Sequence, residues 1–225
     1  MTQPTPHCPP PWDLTGWGLI CSWFSASACE AARATLTAEQ QAGYVGGPVV
    51  LMLVRYARSD CGPYDELLFI PGRLRGPRGA RPLISRIWVS SQASVDNGRR
   101  NWAIPKQLAQ FEFSDEADGY SACRITAAGL QAQIDFRRRG VGLPVTTSLL
   151  SAGMRTLRQP VLSEQGRAEA WCETTVSASA RTRLATCRQL RLSGEQLPRD
   201  LGRPKLSLLS DNVRMRFPEP RFSDT

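Results

Sequence analysis

Glycine and proline recur along this chain at such short intervals that most uninterrupted segments have room for a strand and little else. The 17 prolines and 18 glycines fall at punctuation points, as turns between strands require. Between them lie strand-length stretches: "WGLICSWF" (17–24), "PVVLMLVRYA" (48–57), "YDELLFIPG" (64–72), "LISRIWVSS" (83–91) and "AQFEFSD" (109–115). "SACRITA" (121–127), "LQAQIDFRR" (130–138), "AEAWCETTVSA" (168–178), "RLATCRQLRLS" (183–193) and "KLSLLSDNVRMRF" (205–217) continue the series. In the segment 130–138, Leu130, Ala132, Ile134 and Phe136 alternate with polar residues, a clean period of two. "EAARATLTAEQQAG" (30–43) has helix-forming composition and stops at Gly43. Residues 92–100 read as a connection with helical turns. The pattern predicts a mainly β chain: an antiparallel sheet that closes on itself, with one or two helices outside.

A chain of 225 residues has length enough for one large core. We read a single domain over 13–225, preceded by a proline-rich tail over 1–12 that is expected to be disordered. The seven cysteines show no CxxC spacing and are odd in number, which argues against a zinc site or a disulfide framework and for reduced thiols in a cytoplasm. The single histidine, His7, lies in that tail, so histidine-based triads and histidine metal sites are not expected. The apolar run 17–28 lacks the basic leader of a secretory signal, and no apolar run approaches the roughly 20 residues that span a bilayer. The net charge of +8 is carried by scattered arginines, including Arg137 to Arg139 at an expected strand end. No nucleic-acid-binding motif accompanies it, so nucleic acid is not the expected partner. A basic surface that attracts anionic metabolites fits better.

Of the 28 Lys+Arg residues, only Lys106 and Lys205 are lysine. Lys205 reads as a surface residue. Lys106 stands in an apolar frame, "NWAIPKQLA" (101–109), behind a proline that stiffens the approach. Nucleophilic attack on a carbonyl to form a Schiff base needs an amine; a guanidinium does not lose its proton. An unperturbed lysine is neutral only about once in 2,500 molecules at pH 7. Such a lysine therefore needs a site that disfavours its charge, by burial or nearby cations.

"GRRNWAIPKQLA" (98–109), with the upstream "GPYDELLFIPG" (62–72), resembles the acetoacetate decarboxylase family. The family's Gly-x-Tyr-x-Glu segment is matched by Gly62, Tyr64 and Glu66, and its Schiff-base lysine by Lys106. (Acetoacetate decarboxylase is itself the standard example of a lysine activated by its surroundings.) The resemblance implies an α+β, mainly β fold, a closed cone-like antiparallel barrel with a few flanking helices, assembled as a homo-oligomer. It implies a carbon–carbon lyase that needs no cofactor or metal and acts on a β-keto acid or related carbonyl acid, by default through decarboxylation. Aldol or dehydratase chemistry on another oxo acid, and non-catalytic binding in the same barrel, are the alternatives. Lys106 and Glu66 take the catalytic roles. From the residues themselves, Arg86, Arg99 and Arg100 are candidates to meet an anionic substrate, and Tyr64 and Trp102 to line its pocket. Gly98 and Pro105 read as shaping the backbone. Three positions depart from the family pattern: Gln107 replaces a second lysine, a gapless count puts Leu51 at a further glutamate, and no arginine precedes Arg33.

Overall fold

The computed structural model describes residues 5–76, 78–116, 119–166, 170–198 and 200–224. β1 (Trp12–Trp23) leads into α1 (Ala26–Arg33), α2 (Ala38–Gly43), the short β2 (Tyr44–Gly46) and β3 (Val49–Arg58). β4 (Tyr64–Ile70), β5 (Arg73–Leu74), β6 (Arg81–Pro82) and β7 (Arg86–Val89) follow, and α3 (Gln92–Trp102) carries the chain across to β8 (Lys106–Leu108). β9 (Gln110–Asp115), β10 (Ser121–Ala127) and β11 (Leu130–Thr146) form an antiparallel meander. After α4 (Ala152–Arg155) come β12 (Thr156–Pro160), β13 (Trp171–Thr175), β14 (Ser177–Gly194), β15 (Leu206–Phe217) and β16 (Arg221–Ser223).

Ten strands build the main sheet in the order β8-β7-β4-β3-β1-β15-β14-β11-β10-β9. Every neighbouring pair in it is antiparallel except β7 and β8. The two ends of that order, β8 and β9, are separated in the chain by Ala109 alone, whose N–H reaches the Val89 carbonyl at 2.9 Å. The sheet therefore comes round to meet itself as a nearly closed barrel, and the expected mainly β, antiparallel closed architecture holds. β12-β13-β16 and β2-β5-β6 form two smaller sheets.

Period-two alternation sorts the side chains into two cores. Leu51 and Leu53 of β3, Leu67 and Phe69 of β4 and Trp88 of β7 pack with Cys123, Ile125, Ile134, Phe136 and Leu209 from the other side of the barrel. These residues fill the interior. Their neighbours Val54, Tyr56, Tyr64, Leu68, Ile87 and Val89 point the other way and join Trp12, Leu14, Trp102 and Ile104 in a second core. That outer core, between the barrel wall and α3 with β12 and β13, is where the pocket lies.

Four expectations are corrected. The ordered chain starts earlier than residue 13: Trp12 is 2% exposed, and the preceding segment is tied to α3. Asn97 Nδ2 donates to the Pro6 carbonyl, Asn97 Oδ1 accepts from the Cys8 N–H, and Asn101 Nδ2 donates to the Cys8 carbonyl. A proline-rich strap has few donors of its own, so helix asparagines satisfy its carbonyls; residues 1–4 lie outside the described residues. The helix expected over 30–43 is two helices, because Thr37 caps α2 with a full capping box to Gln40. The connection expected at 92–100 is the eleven-residue α3, started by the Ser91 side chain. β11 runs past the expected 138 to Thr146, held by β14 through two register shifts, so Arg137 to Arg139 lie within a strand. The first two residues of the expected segment 168–178 are outside the described residues. Among the described residues, no helix is long and apolar enough to cross a membrane.

Candidate active site

Lys106 is set in place by the way α3 ends. Ala103 adopts a left-handed conformation (φ 54°), and the Ala103 and Ile104 N–H groups return to the carbonyls of Arg99 and Gly98. This pattern satisfies the helix's last carbonyls and reverses the chain. Pro105 then centres a tight turn in which the Lys106 N–H bonds the Ile104 carbonyl at 2.7 Å, as an inverse γ-turn does. The chain emerges parallel to β7 with Lys106 opposite Ile87. The side chain of Lys106 now points back beneath α3.

The amine is enclosed: Lys106 and Glu66 are each 4% exposed. Nζ lies 3.2 Å from Glu66 Oε2, donates to Ser94 Oγ at 2.8 Å and to the Tyr64 hydroxyl at 3.3 Å. It also sits 4.7 Å from the Tyr64 ring centre, in reach of a cation–π contact. The second Glu66 oxygen accepts from the Tyr56 hydroxyl at 3.4 Å. Burial, and then the Glu66 carboxylate, push the Tyr56 and Tyr64 phenols well above the ordinary tyrosine range. Both therefore keep their protons at neutral pH. Burial also raises the nearby Cys61 thiol, which disfavours a thiolate nucleophile here. Removing either Lys106 or Glu66 would strand a buried charge, a loss of about 3–5 kcal/mol.

This cluster forms part of the wall of a cavity of about 210 Å³. Trp12, Leu14, Met52, Leu68, Ile87 and Trp102 are among its apolar walls. The Trp102 ring meets Trp12 edge-on at 4.9 Å, and its indole N–H is tied to the Pro218 carbonyl. Four sequence candidates, Lys106, Glu66, Tyr64 and Trp102, thus come together in one place.

The three arginine candidates do not join them. Arg86 donates to the carbonyls of Ser85 and Thr35. Arg99 and Arg100 occupy the last turn of α3, where a cation suits the helix dipole. Arg99 pairs with Glu164 (2.8 Å) and donates to the Lys106 carbonyl at 3.0 Å, so it holds the backbone of the lysine. Hydrogen bonding raises the Arg99 guanidinium and lowers the Glu164 carboxyl. Arg100 is exposed and does not line the cavity. Leu51 also falls away from the site: it faces the barrel interior at 1% exposed, and its neighbour Met52 lines the cavity. A gapless count ignores which face a strand residue takes. Gln107 points to the side opposite Lys106 and bonds Gln196.

Ser94 and Arg155 escaped the sequence reading, and Gly98 was read there only as shaping the backbone. Ser94 is fully buried and gives the amine its shortest contact. Gly98, one turn later, is helical; its role is spatial, since a Cβ there would stand 2.6 Å from Lys106 Cδ and 2.8 Å from Cε. The signal was present as two small residues four apart, but only a helix puts them on one face. Arg155 of α4 is the second omission, a cation on the cavity wall.

No protein-family model and no curated protein matches the sequence. Solved structures do match its fold. Acetoacetate decarboxylase from Legionella pneumophila superposes with a TM-score of 0.73 at 11% identity, over 95% of this chain and 87% of that one. An acetoacetate decarboxylase-like enzyme from Sphingomonas wittichii gives 0.64 at 10% identity, over 96% and 92%. The enduracididine biosynthesis enzyme MppR, in complex with pyruvate, gives 0.59 at 14% identity, over 95% and 90%. The chain has the acetoacetate decarboxylase-like fold.

Proposed function

We propose that this protein is an acetoacetate decarboxylase-like enzyme in which Lys106 forms a Schiff base with a carbonyl acid. The observation that carries the reading is the enclosed Lys106–Glu66 pair with two phenols and a serine around it, opening onto an apolar cavity. Glu66 accepts a proton from the ammonium and frees its lone pair for attack on the substrate ketone. The carbinolamine that results loses water, with Glu66 or the Tyr64 hydroxyl supplying the proton to the departing oxygen. The iminium accepts the electron pair released when the bond to the carboxylate breaks, and carbon dioxide departs. Protonation of the enamine carbon and hydrolysis return the ketone and the amine. Decarboxylation is the default outcome. The same iminium, with its carboxylate retained, would serve an aldol or dehydration reaction on another oxo acid.

A binding barrel without catalysis is the second reading. It is favoured by one fact: the three ammonium protons of Lys106 already have three acceptors, in Ser94, Tyr64 and Glu66. Reduction with borohydride in the presence of β-keto and 2-oxo acids separates the two. The enzyme reading expects a mass adduct on Lys106 that is absent from Lys106→Arg. No adduct with any carbonyl acid would leave the binding barrel standing.

A further inference from the structure

Among the described residues, the basic and carboxylate side chains that line the cavity are Lys106, Glu66 and Arg155. Lys106 and Glu66 neutralise each other at 3.2 Å. Arg155 has no such partner. Among the described residues its guanidinium makes no hydrogen bond or ion pair, and its Nε is buried from water with no acceptor. An unpaired, partly dehydrated cation is costly to keep in a folded chain. Its backbone is fixed, however, by the Val176 N–H on the Arg155 carbonyl at 3.0 Å, and the cavity wall also includes Leu150, Met154, Leu157, Val176 and Ala178. A guanidinium on a mostly apolar cavity wall, its Nε without an acceptor, lacks the carboxylate that its fork geometry matches.

We infer that Arg155 is the carboxylate-binding residue of this pocket, and that its ligand is an oxo monocarboxylate with an apolar body. The inference rests on the Schiff-base reading for the carbonyl end of that ligand and on Arg155 alone for the acid end. The charge count limits the ligand to one carboxylate, since Lys106, the only other cation on the cavity wall among the described residues, is already paired. The lining demands an apolar body. Thr147 and the two tyrosines are the uncharged hydroxyl groups in it, and the remaining side chains are aliphatic, aromatic or thioether. The arginines named from the sequence are committed elsewhere, to Glu164 and to backbone carbonyls, which leaves this role to α4.

Two measurements on the full chain test it. First, borohydride trapping is titrated with 3-oxooctanoate and with its methyl ester. The acid should half-saturate the wild type at a concentration at least about tenfold lower than the ester, as a charge-assisted pair predicts. In Arg155→Met the ratio should fall to about one, and Arg155→Lys, which keeps charge but loses the fork, should lie between. An unchanged ratio in Arg155→Met overturns the assignment. Second, octanoate, which has no ketone and cannot form a Schiff base, should raise the Tm of the wild type and not that of Arg155→Met. The same rise in both proteins, or none in the wild type, overturns the assignment even if trapping succeeds. Absence of any Lys106 adduct alongside an Arg155-dependent rise in Tm defeats the Schiff-base reading alone.

Discussion

Gly98 sits in mid-helix, where glycine costs roughly 0.5–1 kcal/mol relative to alanine. That cost is explained by the aliphatic stem of Lys106, which lies where a Cβ would be. Gly98→Ala should therefore push the stem aside and move the amine from Ser94 Oγ and Glu66 Oε2. A displacement near 1 Å can cost about 10²-fold in a positioned reaction. The expected outcome is Lys106 trapping slowed by about that factor, with Tm little changed because the gain in helix propensity opposes the new contact. Trapping at the wild-type rate in Gly98→Ala would show that the close approach does not set the amine's position. At this scale the lysine was legible as the lone amine in an arginine-rich region behind a proline. Its serine and glycine partners were not legible, because small residues carry no chemical signature until a fold puts them against something.

α3 shows why an element can be missed. Its sequence, "QASVDNGRRNW", has one glycine, two asparagines and no sustained apolar period, so local propensity argues for a loop. Burial of Ser94, Val95, Asn97, Gly98, Asn101 and Trp102 against the barrel wall and the N-terminal strap overrides that propensity. The layer across the cavity depends on a different device. Arg158 of β12 is 1% exposed and meets Glu173 of β13 at 2.8 Å, with a further bond to the Gly79 carbonyl. This pair fixes the strand that begins directly after Arg155. Arg158→Met should lower stability by about 3–5 kcal/mol, read from denaturant unfolding, because it leaves Glu173 with only the exposed Arg78, 3.9 Å away, as counter-charge. Adding Glu173→Leu should restore part of the loss. Equal destabilisation in the single and double variants would mean that packing, and not the ion pair, holds β12.

Across the whole molecule, the paired strands β11 and β14 and the segment leading into α4 expose apolar side chains that the barrel does not cover. Val141, Leu143, Leu149, Met154 and Leu184 are all more than half exposed. Exposed apolar groups gathered on one arm mark an association surface, and we propose that a second copy of the chain covers them. Light scattering should then give a mass above the 24.8 kDa of one chain, and Leu143→Glu with Leu184→Glu should reduce it. A wild-type protein that runs as a monomer at micromolar concentration rejects this.

The sequence by itself determined that the chain is a closed antiparallel β-structure, since glycine and proline spacing limits segment length and a period of two assigns each strand a buried face. It also pointed to Lys106 and Glu66 as members of one site, through the resemblance of the segments around them to the acetoacetate decarboxylase family. Only the tertiary structure decided that the site lies on the outer face of the barrel wall and that Ser94 and Gly98 complete it. The same is true of the cation facing the cavity, which is Arg155 and not Arg86, Arg99 or Arg100. The physical reason is that a side chain's direction follows from strand register and helix docking. Those are set by pairings between segments far apart in the chain, which no local pattern of residues records.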